Sequence, residues 1–429
     1  MDLTTRSAGV LLHLTSLPDG DLGPEAYRFV DWLASAGIRW WQMLPVGPAG
    51  EGRSPYKAES AFAGDPRLIS LEQLAEEGLL RRGETWRPKA RALGIAFERF
   101  IARPPADFEP FRARPWVRDF VRYASSKGGR APFHEFLQFE FDRQWRALRA
   151  HARRRGVGLI GDVPLYVAPD GADVRANPEL FKRGVVAGVP PDYFSRTGQL
   201  WGNPVYRWDM LRARGFDWWI DRLRVDLERF DALRLDHFIG FHRVWEVPAG
   251  AKTAARGRFV PGPGVRFFET VLPVLGCSRR LIAEDLGLVT PQVRAMRDRF
   301  GFPGMRVLQF DLDDPGARRQ VVYTGTHDND TIVGWFRRQP EARRRELGGA
   351  AGVHWRMIER ALAAKADVAI VPAQDVLGLG SRARMNVPGR SDGNWRWRLR
   401  RGALTAEIAG RLRDQARAAG RVPGRGRGN

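Results

Sequence analysis

VGLIGDVPLY, residues 157–166, is a run of apolar residues and glycines broken by one acid, Asp162, and followed by Pro164. A strand with one wet face alternates apolar and polar residues. This run does not alternate, which predicts a strand buried on both faces, the pattern of parallel sheets. Seven similar runs flank it: Ala8–Leu14, Ile38–Val46, Asp231–Phe238, Arg280–Asp285, Met305–Phe310, Val321–His327 and Val368–Gln374. Helical patterns separate most of them. In 24–36, Tyr27, Val30, Leu33 and Ala34 recur at three- and four-residue spacing, and 136–155 behaves likewise. Thr290 before Pro291 is a good cap and first-turn pair for a helix over QVRAMRDRF. Alternating strand and helix through most of a chain predicts a parallel α/β architecture. Eight such strands predict a (β/α)8 TIM barrel, which needs roughly 250 residues, and the 429 residues here leave room for insertions.

Two sections exceed a bare barrel: 47–129 after the second strand and 168–208 after the third. Both leave from the C-terminal ends of strands, where barrels of this kind carry their sites, so they are expected to build a substrate groove. The expected organisation is one barrel over 1–420 with these inserted segments. A basic Gly/Arg-rich tail over 421–429 has nothing to pack and is expected to be disordered.

A hydrophobic fraction of 43% is ordinary for a chain that buries a large core. No run approaches the ~20 apolar residues of a membrane span, and the first twenty residues do not read as a signal peptide. The single cysteine, Cys277, precludes an intrachain disulfide and fits a cytoplasmic setting. The net charge of +21 raises nucleic acid as a partner. The charge is mostly arginine spread over helices, so a solvated surface is expected instead, with neither nucleic acid nor membrane as partner. Oligomeric state is not legible.

Four of the eight strands end in carboxylates: Asp162, Asp236, Glu284 with Asp285, and Asp328. A charge beyond an apolar strand is costly to bury unpaired. One such acid is most simply a cap or an arginine partner, but several on one barrel converge on one mouth. Glycosidic cleavage needs two carboxyl groups about one bond, and a third can hold the distorted ring. Arg234, two residues before Asp236, points to the same side of a strand and offers the opposite charge that favours a carboxylate. His237 and His327 sit beside two of the acids and could bond sugar hydroxyls. In 188–208, Trp201 and Tyr206 offer stacking faces and Gln199 and Asn203 fixed donors and acceptors; Tyr56 adds an aromatic near the second strand.

These stretches resemble a known family. GVLLHLTSLP (9–18), SPYKAESAFAGDP (54–66), TGQLWGNP (197–204), RLDHFIGF (234–241), IAEDLG (282–287), GTHDNDT (325–331) and GNWRWRL (393–399) are similar to those of the amylomaltases, the 4-α-glucanotransferases or disproportionating enzymes of glycoside hydrolase family 77. The resemblance runs from about Gly9 to Leu399. It implies transfer of α-1,4-glucan segments between malto-oligosaccharides, with no cofactor, no metal and no C-terminal β-domain. It implies Asp236 as nucleophile, Glu284 as general acid/base and Asp328 as the holder of sugar hydroxyls. Arg234, His237, His327 and Tyr56 would frame the same subsite. Gln199, Trp201 and Asn203 would lie on a covering loop, and Asn386 in RMNVPG near the site. The chain departs from the family pattern where TSLPDGDLG, ELFKRGVVAGVPP and VLQFDLDDPGARRQVVYTG are short, and at Lys57, Asp65 and Arg175. Net hydrolysis by the same residues and an inactive glucan- or nucleic-acid-binding protein are the competing readings.

Overall fold

A computed structural model describes residues 2–191, 195–314, 316–390 and 392–422. Strands are numbered in chain order. β1 (Ser7–Leu11), β2 (Trp40–Gln42), β3 (Gly158–Val163), β6 (Ala232–Leu235), β9 (Leu281–Ala283), β10 (Gly304–Val307), β11 (Gln320–Tyr323) and β12 (Val368–Pro372) follow one another round a closed barrel. Every neighbouring pair is parallel, and β12 closes on β1 with Ser7 opposite Val368. Each of the eight expected runs overlaps one of these strands.

The barrel is filled rather than open: Trp40, Ile160, Ile282, Val321 and Ile370 point inward and are buried. Gly161 in β3 is glycine for a packing reason, because a Cβ there would stand 2.4 Å from the Phe230 ring. The expected helices form outside the strands. Pro24–Ser35 buries Phe29, Val30 and Leu33, and Ala131–Arg154 buries Phe136, Phe139 and Trp145. Thr290 accepts a hydrogen bond from the Val293 amide at the start of Pro291–Arg299. After β12 the described residues hold helices and loops but no strand, and no helix among them is long and apolar enough to cross a membrane.

The 47–129 section is a helical layer, including Lys89–Ala102 and Pro115–Lys127, whose Phe97, Phe100, Phe108 and Phe111 pack on the long helix 131–154. The 168–208 section holds a hairpin of β4 (Phe181–Val189) and β5 (Gln199–Tyr206). A third excursion, which the sequence pattern did not announce, follows β6. Its β7 (Arg243–Pro248) and β8 (Arg258–Pro261) extend the hairpin to an antiparallel sheet of order β5-β4-β7-β8.

The tail needs one correction. Arg421 and Val422 are packed, not free. Arg421 is fully buried and donates to the carbonyls of Ser7, Leu362, Ala364, Ala366 and Asp367, and Val422 lies against the core. Those carbonyls lie around the end of the helix Val353–Ala363 and the first and last barrel strands. A guanidinium satisfies them where an apolar side chain would leave them unpaired. The remainder of the expected tail, 423–429, lies outside the described residues.

Candidate active site

The strand ends bring Asp162, Asp236, Glu284 and Asp328 to the C-terminal mouth of the barrel. β6 and β9 pair with Leu235 opposite Ala283, so Asp236 and Glu284 leave the sheet side by side. The chain then turns sharply at His237, whose backbone is left-handed (φ 53°, ψ 50°). That conformation is strained for a residue with a Cβ and is found where a site demands it. The turn aims the His237 amide at Glu284, whose Oε2 accepts from it at 2.7 Å, while Oε1 accepts from the Leu286 amide at 3.3 Å.

Arg234, buried inside the barrel, is the hub of the other acids. Its Nη1 donates to both oxygens of Asp162, at 2.8 and 2.9 Å, and to Oδ1 of Asp236 at 2.7 Å. The Tyr56 hydroxyl donates to Oδ2 of Asp162 at 2.7 Å. Asp162 was legible only as an acid at a strand end; here it holds both Arg234 and Tyr56. Asp285, at the end of β9, is not part of the group. It accepts from the Met305 amide and pairs with Arg297, which joins β9 to β10 and a flanking helix.

Asp328 stands beside His327, with Nε2 3.3 Å from its Oδ2, and its Oδ1 accepts from the Asn386 amide group at 2.6 Å. The Tyr56 ring stacks on His327 with centroids 5.0 Å apart, and Trp395, an aromatic to which the sequence pattern assigned no role, lies 5.9 Å from Tyr56 and 6.0 Å from His327. Across the mouth, Trp201 sets its edge against His237 at 4.9 Å, donates to Gln199 at 3.2 Å, and Asn203 donates to the Val167 carbonyl at 2.9 Å. The expected site residues therefore gather into one region. Tyr206 is the exception: it is buried among Trp208, Trp218 and Trp219 and offers no face to a groove. Its position in the alternation of β5 points it to the core.

Protonation differs among the acids. Burial pushes Glu284 up to about 8, with Arg234 opposing and the Asp236 charge adding. Burial also raises Asp162, against the pull of Arg234. The enclosed mouth works to raise Asp328 too, but the His327 charge and the hydrogen bonds from His327 and Asn386 hold it well below the usual carboxylate range. Burial lowers His237 to about 4, so its imidazole is neutral at pH 7. Glu284 is kept protonated while Asp328, at the same mouth, is kept ionised, a division that acid–base chemistry uses.

The profile of the family described as 4-alpha-glucanotransferase matches residues 12–132 and 121–405. A 4-alpha-glucanotransferase of Thermus thermophilus is 43% identical over 497 aligned positions that cover 97% of this chain and 99% of that one. One of a Synechocystis strain is 41% identical, covering 96% of this chain and 97% of its own. Among solved structures, the amylomaltase from Streptococcus agalactiae in complex with acarbose superposes with a TM-score of 0.93 at 31% identity, covering 98% of this chain and 100% of that one.

Proposed function

The chain belongs to the 4-alpha-glucanotransferase family, glycoside hydrolase family 77, and on that premise we propose that it moves α-1,4-glucan segments between malto-oligosaccharides through a covalent glycosyl-enzyme at Asp236. The observation that carries the proposal is the meeting of two carboxyl groups at the ends of β6 and β9: Asp236 is bound by Arg234 at 2.7 Å, and burial holds Glu284 protonated beside it.

In the first step the Asp236 carboxylate attacks C1 of the bound glucose. The Glu284 carboxyl gives its proton to the departing glycosidic oxygen, so the bond to the leaving sugar breaks as the ester to Asp236 forms. Glu284 is then a carboxylate. In the second step it takes the proton of an acceptor 4-hydroxyl as that oxygen attacks C1 and releases Asp236, and two inversions give net retention. Asp328, kept ionised, accepts hydrogen bonds from hydroxyls of the same sugar, and Asn386 and His327 fix its direction. Tyr56, held by Asp162, supplies the flat face against which that sugar rests. Gln199, Trp201 and Asn203 cover the side from which the acceptor enters and limit access of water, which favours transfer over hydrolysis. The barrel and its inserted segments act together as one catalytic unit. A cytoplasmic setting goes with this reading; Cys277 is a buried free thiol.

The test is incubation with maltotriose beside an Asp236→Asn control. A ladder of shorter and longer maltosaccharides, absent in the control, is expected. Glucose and maltose alone would make the protein a hydrolase.

A further inference from the structure

Next to the site lies a cavity of about 670 Å³ that the mechanism does not use, within the ~300–1,000 Å³ typical of small-molecule sites. Trp395 forms part of its wall and connects it to Tyr56 and His327. Glu284 and Trp201 gather around His237, whereas Tyr56, His327 and Trp395 form a separate group. The leaving group departs past Glu284, so the part of the donor beyond the attacked glucose continues past Trp395 into this cavity; that direction rests on the transferase reading above.

The lining is unusually cationic for a neutral glucan. Against Arg53, Arg67, Lys89, Arg396 and Arg398 the lining holds only two carboxylates, Asp19 and Asp65. Arg67 is occupied by Asp65 at 2.6 Å, Lys89 by Asp21 at 3.4 Å, and Asp19 by Arg401 at 2.6 Å. Arg53, Arg396 and Arg398 have no carboxylate partner among the described residues. Arg398 donates to the Pro18 carbonyl at 3.4 Å and passes over Gly20, where a Cβ would stand 2.5 Å from its Nη1. His13, in the same wall, is buried and its Nδ1 has no partner. Sugar hydroxyls do not call for three uncompensated guanidinium groups. A phosphate does, because the planar fork of arginine matches its oxygens two at a time.

We infer that this cavity binds a phosphate monoester carried by the donor glucan, with Arg53, Arg396 and Arg398 as its cradle. The enzyme then prefers donors phosphorylated on the non-reducing side of the cleaved bond.

Calorimetric titration of full-length Asp236→Asn protein with maltotriose, and with maltotriose bearing a 6-phosphate on its non-reducing glucose, reads the effect without turnover. The phosphorylated sugar should bind about ten- to a hundredfold more tightly, and that gain should fall to within about twofold when Arg53→Gln, Arg396→Gln and Arg398→Gln are added. The gain should also shrink as salt is raised, and thermal melting should find both proteins folded. Equal affinity for the two sugars, or a gain that survives the triple substitution, overturns the inference. Glucose 6-phosphate is the third probe. Weak competition with the phosphorylated trisaccharide supports the cradle. Binding beside plain maltotriose as tightly as the phosphorylated trisaccharide binds identifies a free sugar phosphate as the ligand and overturns the glucan-borne assignment. Failure of the wild-type protein to disproportionate maltotriose would remove the transferase reading without touching these binding results.

Discussion

Arg234 binds two carboxylates through one nitrogen, and the two have different work. Asp162, fully enclosed, fixes the guanidinium and the Tyr56 hydroxyl; Asp236 is part-exposed and opens to the mouth. Replacing Asp162 by Asn should leave the nucleophile in place but let Arg234 and Tyr56 drift. A shift of about 1 Å in positioned groups can cost roughly a hundredfold, so kcat/KM on maltotriose should fall by about that factor in a folded protein. Unchanged kinetics would remove Asp162 from the positioning of the site. On the proposed mechanism Glu284 must be protonated to release the leaving sugar, and its folded pKa is raised to about 8. The acid form, and with it the first step, is present below that pKa and lost above it. The rate of glycosyl-enzyme formation should therefore decline on an alkaline limb near pH 8, and Glu284→Gln should abolish that limb together with most of the activity. A limb at the same pH in the variant would assign it to another group. The acids that gather at the mouth were legible because each follows an apolar strand, where an acid is costly without a purpose. The service of Asp162 to Tyr56 was not, because the two are joined only when β3 and the loop after β2 meet.

The four-stranded sheet shows what local pattern leaves unread. The β4–β5 segment reads as a loop because its glycines, prolines and aromatics obscure alternation. Its partner β7 was not seen at all, since the pairing of Val186 with Val247 spans sixty residues of chain and has no local signature. Gly198, immediately before β5, has φ of +67° and a would-be Cβ 2.3 Å from the Val189 carbonyl. Alanine there incurs strain of about 1–3 kcal/mol, and the strain falls next to Gln199 and Trp201. Gly198→Ala should loosen the cover over the acceptor side and admit water. The measurable outcome is a higher ratio of released glucose to elongated products from maltotriose, with the barrel's melting temperature little changed. The barrel strands and their helices were legible for the opposite reason, since each buries its own run regardless of what pairs with it.

At the scale of the molecule, Arg421 gathers carbonyls from Ser7 in the first strand, Asp367 before the last, and the helix end at Leu362 and Ala364. Nothing in RVPGRGRGN distinguishes that arginine from its neighbours, and so the boundary of the expected tail was drawn ahead of two packed residues, Arg421 and Val422. Arg421→Ala leaves buried carbonyls without donors, at about 1–3 kcal/mol for each group that water cannot reach. Denaturant unfolding of the variant should lose about 3 kcal/mol or more, and a loss under 1 kcal/mol would mean that water substitutes for the guanidinium.

The same clasp orders events in the cell. β1 leaves the ribosome long before its partner β12 and the arginine that secures both. At ordinary rates of translation the first strand waits on the order of half a minute to a minute with one edge unpaired. The nascent chain must be guarded through that interval, and emergence of β12 and Arg421, rather than of the carboxylates at the mouth, is the moment at which the barrel can close.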